Sequence, residues 1–327
     1  MPTLAFVGDV MLGRGVNELV PERPPAWFWG DVLPLLRQTD AVIANLECAL
    51  TRHPFRWSAT PKVFYFRADP AAVRILQVAN IRAVALANNH VLDFDVPGLE
   101  ETLATLDAAG IAHAGAGRQQ AEAEAPAFLD VGGVRVGLVA ATDNEPPFAA
   151  TPTSPGTNYL LIRLDERILG RVAAWVERLR AGGAQLAILS LHWGPNMVLV
   201  PSPAFQAFGR AALRLGFDVL HGHSAHVLQG IEVRGRRTLL YDTGDALDDY
   251  VVDPELRNDW SALFRLDLAD DGTPLAWTIV PLRLGYAQVF RARGADFQGI
   301  VRRLRALCAP FGTHLEPHPE GLRLPLG

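Results

Sequence analysis

The feature that most constrains the fold is a set of short apolar runs that each end on a side chain able to bind a cation or move a proton. "TLAFVGDV" delivers Asp9, "DAVIANLE" delivers Asn45 and Glu47, and "IRAVALANNH" ends on Asn88, Asn89 and His90. "VRVGLVAATDNE" ends near Asp143, and "AQLAILSLHWG" delivers His192. "FDVLHGHSAH" carries His221, His223 and His226, and "RTLLYDTGD" carries Asp242 and Asp245. Amphipathic stretches lie between several of these runs. "DPAAVRILQVAN" opens with Asp69 as N-cap and Pro70 in the first turn, and "DERILGRVAAWVERLRAGG" stops on glycine. Runs of this length alternating with helical patterns predict an α/β protein with the runs as strands. Ligands in such sheets bind beyond the carboxyl ends of strands, so these residues are expected to share one site.

Five of the nine histidines, His90, His192, His221, His223 and His226, fall at three of these strand ends. Imidazole combined with carboxylate oxygen is the donor set of zinc, manganese or iron rather than calcium. The formal charge is -5 and the arginines are scattered, so no nucleic-acid partner is expected. Cys48 and Cys308 are too few for a disulfide framework. With no long apolar run, the expectation is a cytoplasmic chain without a membrane anchor.

The pieces "FVGDVMLGR", "ANLE", "LANNHVLDF", "LHWG", "GHSAHVLQGIEV" and "LYDTGDAL", in that order over about 240 residues, resemble the CapA (poly-γ-glutamate capsule biosynthesis) branch of the calcineurin-like metallophosphoesterases. The resemblance implies an α/β (α+β) four-layer sandwich, with two mixed β-sheets flanked by helices and two divalent metal ions at the strand ends. Residues 1–285 are expected to form that domain, and 286–327 a C-terminal extension packed on it or trailing from it. By the same resemblance Asp9, Glu47, Asn89, His192, His223 and His226 are metal ligands, and His90 is the catalytic residue beside the substrate.

Two cations about 3.5 to 4 Å apart need an anionic bridge, and Glu47 is the natural candidate. One ion would then see Glu47, Asn89, His192 and His223, and the other Asp9, Glu47 and His226. The expected chemistry is attack by a metal-bound hydroxide on a phosphoester or related anionic substrate, with His90 protonating the leaving group. An amide hydrolase acting on a γ-glutamyl polymer would carry the same ligands. A third reading is a non-catalytic, metal-stabilised component of a polymer synthesis or export system.

Several residues depart from the family pattern. Met11 stands where a histidine ligand is usual, and a thioether is a poor ligand for these ions, so the Asp9 ion is expected to bind more weakly. Ser224 replaces a histidine in "GHSAH", and His221 either compensates for it or orients a ligand. Asp245 is expected just behind the ligands. Arg14 is read either as a contact for a substrate phosphate or carboxylate or as a structural ion pair. Cys48 reads as apolar filler, Trp193 as packing, Asn88 as a backbone-bonding loop residue, and Asp242, Asp248 and Asp249 as a solvated turn. Segments 51–70 and 143–158 are expected to be lids. The tail "EPHPEGLRLPLG" is expected to be extended, without a strand pattern.

Overall fold

The computed structural model describes residues 1–327. Each of the seven apolar runs forms a strand, and they sort into two sheets. The main path of the first sheet runs Glu316–His318, Gly321–Pro325, Pro274–Gly285, Trp260–Leu268, Thr3–Val10, Ala41–Leu46, Ile81–Ala85, Ala112–Ala114. Its pairings are parallel from Thr3–Val10 through Ala112–Ala114 and antiparallel on the other side. The second sheet runs Ile231–Arg234, Arg237–Leu240, Val219–His223, Leu186–His192, Val134–Thr142, Ala127–Val131, with parallel pairing inside and antiparallel strands at both edges. Both sheets are therefore mixed.

Alternation along the strands builds three apolar layers. Leu4, Phe6, Ala41 and Ile43 point between the sheets, where they meet Val136, Leu138, Ile188 and Val219. Their neighbours Ala5, Val7, Val42 and Ala44 point outward, onto a layer with Leu36, Leu76, Leu99 and Leu103 from the first sheet's helices. On the second sheet Val139, Ala141 and Leu189 point outward onto Trp175 and Leu179 of the Glu166–Ala181 helix and Phe208 of the Pro203–Leu215 helix. Because successive strand side chains face opposite sides, a strand covered on both faces must be apolar throughout, which is why these runs are continuous rather than alternating. Asp165 and Ser202 cap the two helices by accepting from the Ile168 and Phe205 amides. The result is helices, sheet, sheet, helices: the expected four-layer sandwich.

The C-terminal region differs from the sequence reading. Residues Glu316–His318 and Gly321–Pro325 form a hairpin, and the second of these strands joins the first sheet with Leu322 opposite Ile279. Leu322, Leu324 and Leu326 are buried at every second position, so the signal for a strand was present in "GLRLPLG". The Gly294–Cys308 helix packs Ile300, Leu304 and Cys308 into the layer between the sheets.

Register sets the site. Asp9 lies opposite both Asn45 and Asp245, and His192 lies opposite His223. A Cβ on Gly8 would fall on the Gly244 carbonyl, so only glycine before Asp9 lets the Asp245 strand approach this closely.

Candidate metal centre

The strand ends bring Asp9, Glu47, His192, His223, His226 and Asp245 together, with Asn89 and His90 on the flank. Donor atoms of Asp9, His192 and His223 lie within 4.8 Å of one another, and so do those of Asp9, Glu47, His226 and Asp245. Asp9 serves both groups. Its Oδ1 is 3.5 Å from His223 Nδ1 and 3.8 Å from His192 Nδ1, while its Oδ2 is 3.6 Å from His226 Nδ1. Glu47 Oε1 also spans them, 3.7 Å from His192 Nε2 and 4.0 Å from His226 Nε2. Two carboxylates, rather than Glu47 alone, thus lie between the groups.

Whether cations fit here can be judged from the oxygens. Glu47 Oε1, Asn89 Oδ1 and Asp245 Oδ2 are buried and accept no hydrogen bond. Such orphans are rare in native interiors because each costs about 1–3 kcal/mol or more, so two on Glu47 and Asp245 within one donor group call for a missing positive partner. Charge says the same. Burial pushes the pKa values of Asp9, Glu47 and Asp245 well above the usual carboxylate range, and repulsion from neighbouring acids adds to it: Asp245 and Asp242 on Asp9, Asp9 and Asp245 on Glu47, Asp248 and Asp242 on Asp245. Burial also holds His192 and His223 neutral, the form that binds metal. His226 goes the other way: burial opposes its charge, but Glu47 and Asp9 outweigh that and raise its pKa. The donor set fits divalent cations.

Supporting contacts fix most ligands from behind. Asn45 donates to Asp9 Oδ1 at 2.7 Å, and Asn88 donates to Asn45 and to the Leu46 carbonyl while accepting from the His90 amide. Asn88 therefore bonds backbone, as expected. His223 Nε2 is 2.8 Å from Ser190 Oγ, which leaves Nδ1 for the centre. Ser190 Oγ also meets His221 Nδ1 at 3.3 Å, and His221 Nε2 meets Thr243 Oγ1 at 3.2 Å. Both His221 ring nitrogens are occupied and burial lowers its pKa to about 3, so it orients His223 through Ser190 and does not replace a ligand. The turn between His223 and His226 is strained, with Ser224 at φ 109° and His226 at φ 58°. Asp242 holds that turn by accepting from the Ala225 and Gly244 amides.

Some expectations need correction. Asp245 was placed behind the ligands, yet it reaches the Asp9–Glu47–His226 group directly and lies 2.8 Å from His226 Nδ1. Met11 is buried and its sulfur accepts from the Gly13 amide, so it takes no part; Asp245 fills out the group that Met11 was expected to leave short. Asp242 and Asp248 are buried, at 2% and 6% exposure, and do not form a solvated turn. Trp193 packs on Phe205 and Tyr241 and donates to the Tyr241 carbonyl, as expected. Cys48 is buried, with its thiol pushed up to about 12 by burial, which fits the filler reading.

Sequence reasoning missed three neighbours of the centre. Asp93 Oδ2 lies 2.6 Å from His90 Nδ1 and also accepts from the Phe66 amide. The other ring nitrogen, Nε2, faces Glu47 Oε1 at 4.0 Å. Lys62 is nearly buried, donates to the Asn89 carbonyl and stands 3.4 Å from Asp93 Oδ1. Tyr250 donates to Glu47 Oε2 at 3.1 Å. The position of Asp93 three residues after His90 was a usable signal, whereas Lys62 and Tyr250 sit in aperiodic loops. Segments 51–70 and 143–158 meet beside the centre, where Trp57 packs edge-on against Phe148 and Lys62 lies over the same ring.

A sandwich of two mixed sheets flanked by helices, with loops gathered at the strand ends, is the metallophosphoesterase-like fold. A structure from Staphylococcus aureus assigned to a 5'-nucleotidase shares this fold with a TM-score of 0.50 at 12% identity, over 91% of this chain and 57% of that one. The profile of the family described as "Bacterial capsule synthesis protein PGA_cap" matches residues 3–250. A probable polyglutamine synthesis accessory protein of Mycobacterium tuberculosis is 31% identical, over 98% of this chain and 94% of its own. The capsule biosynthesis protein CapA of Bacillus anthracis is 28% identical over 86% of this chain and 67% of its own. The chain belongs to the CapA-type bacterial capsule synthesis family. No helix in it is long and apolar enough to cross a membrane.

Proposed function

We propose that this chain is a metal-dependent hydrolase that cleaves a phosphoester or related anionic substrate at a centre of two divalent cations, manganese, iron or zinc. The observation that carries the reading is the pair of buried, unpartnered oxygens, Glu47 Oε1 and Asp245 Oδ2, on residues that share one donor group with Asp9 and His226, beside a second group of Asp9, His192 and His223. Asp9, Glu47, His226 and Asp245 would hold one ion, and Asn89, His192 and His223, with the shared carboxylates, the other. When bound, such ions polarise a phosphoryl or carbonyl oxygen and acidify water.

The chain's own groups do the rest. Asn45 and Ser190 hold Asp9 and His223 in place. His90 is anchored at Nδ1 by Asp93 and presents Nε2 toward the centre, the geometry of a proton-transfer group, with burial lowering the pKa of His90 and raising that of Asp93 to about 8. Asp93 positions His90, and Lys62 beside it opposes the rise in the Asp93 pKa only in part. The His90–Asp93 pair with Nε2 turned toward the centre is what proton transfer requires, and this favours catalysis over the non-catalytic reading.

The relatives' names favour one further reading of the same centre. They describe capsule, poly-γ-glutamate and polyglutamine synthesis, so a γ-glutamyl amide is the alternative substrate. The test is elemental analysis of protein purified without chelator or affinity metal, followed by turnover of a chromogenic phosphoester and of γ-glutamyl peptides. About two equivalents of metal are expected in the wild type, falling in His223→Ala. His90→Ala is expected to keep its metal and lose about 10²- to 10⁴-fold in turnover. A wild type that takes up no metal on titration overturns the reading.

A further inference from the structure

Arg14 lies just beyond the Asp9 strand, at the mouth of the candidate centre. Its backbone is held at φ 50°, a region costly for any residue with a Cβ and tolerated where the surroundings enforce it. Asp249 enforces it: its Oδ1 and Oδ2 accept from Arg14 Nε at 3.0 and 3.2 Å, and Oδ2 accepts from the Gly15 amide at 3.0 Å. The Arg14 Nη2 group bonds to the same carboxylate, so one edge of the guanidinium is spent. Nη1 makes no hydrogen bond within the chain, and the side chain is 37% exposed.

The faces of this guanidinium are also committed. Its Cζ packs 5.2 Å from the Phe66 ring centroid and 5.3 Å from that of Tyr250. These are the two rings that border the centre: Phe66 stacks on His90 at 4.0 Å, and the Tyr250 hydroxyl bonds Glu47. A surface ion pair needs none of this. An arginine locked by a carboxylate and two rings loses little side-chain entropy on binding and offers its free edge in a fixed place.

We infer that Arg14 receives, through its free Nη1 edge, a second anionic group of the substrate, a carboxylate or phosphate next to the group held at the centre. The inference rests on the hydrolase reading above. It makes the substrate a molecule with two acidic groups, and it makes Arg14 the residue that selects for the second.

The test titrates manganese-loaded full-length protein with three non-hydrolysable ligands: propylphosphonate, 3-phosphonopropionate and 1,3-propanediphosphonate. The first carries one anionic group, and the others add a carboxylate or a phosphonate. Wild type is expected to prefer one of the two-group ligands by about 10- to 100-fold, and which one it prefers tells carboxylate from phosphate. Arg14→Gln is expected to erase that preference while keeping its affinity for propylphosphonate and its manganese. Asp249→Asn controls for a structural role: if fastening the loop is all that Arg14 does, the two variants lose the preference equally and the inference falls. Arg14→Lys, which keeps charge without the planar fork, is expected to restore part of the preference. No preference in manganese-loaded wild type sinks this inference alone, whereas failure to take up manganese sinks the hydrolase reading and this inference with it.

Discussion

The two sheets contribute unlike halves to the candidate centre. The first sheet and its loops bring Asp9, Glu47, Asn89 and Asp245, and three of these carry a buried oxygen with no partner. The second brings His192 and His223, and behind His223 runs a closed relay of Ser190, His221 and Thr243. Burial drives the first half toward protonation and the second toward neutrality. Both responses lower the charge the interior must hold. One half is short of positive partners, and the other is wired to present a lone pair. The contrast teaches that the imidazole half sets geometry, while the carboxylate half stores an electrostatic demand that bound cations would meet.

The sharpest way to break this contrast is to substitute one member of each half and compare the proteins with and without metal. Glu47→Gln removes a buried carboxylate whose Oε1 is unpartnered, so the metal-free variant is expected to melt no lower than metal-free wild type. The stabilisation that metal brings should vanish with it, about 4 kcal/mol for wild type at a thousandfold excess over the dissociation constant. Calorimetric melts with and without manganese read both effects. A Glu47→Gln protein still stabilised like wild type would show that the demand does not reside in this carboxylate.

Ser190→Ala tests the other half with a smaller effect of opposite sign in the metal-free state. It leaves His223 Nε2 and His221 Nδ1 without their hydroxyl, so the metal-free protein is expected to lose stability by about 1 kcal/mol. Metal affinity should fall by about 10- to 100-fold, the usual effect of removing a group that orients a ligand. Unchanged affinity in a manganese titration would mean that the relay only fills space.

How much of this was legible in the sequence follows the same division. The strands were legible because continuous apolar runs are what a twice-covered strand requires, and the ligand types at their ends named the site. Asn89 and the histidines could be placed by the family resemblance. The place of Asp245 was not legible, because it depends on register: it faces Asp9 only because Gly8, with no Cβ, lets the Gly244 carbonyl close up against its strand. Lys62 and Tyr250 were invisible for a related reason. Their roles arise from loops folding back over the strand ends, and no periodicity records where an irregular loop returns. Arg14 was visible as a residue but ambiguous, since the same guanidinium can serve an ion pair or a ligand, and here its two edges divide between those uses.

Asp242 offers the finest test, because chemistry and wiring assign it to different halves. By type it belongs with the acids, and burial raises its pKa to about 7. By contacts it belongs with the relay, since both its oxygens accept backbone amides and neither is orphaned. If satisfaction rather than residue type decides what a group does here, Asp242→Asn should act as a structural change. An amide keeps one acceptor and turns its NH₂ toward a backbone N–H, at a cost of about 1–2 kcal/mol. That loss should appear equally with and without manganese, leaving the metal-induced shift in melting temperature as large as in wild type. A reduced shift would place Asp242 among the groups that answer to the cations, and the line between the halves would then follow charge rather than hydrogen bonding.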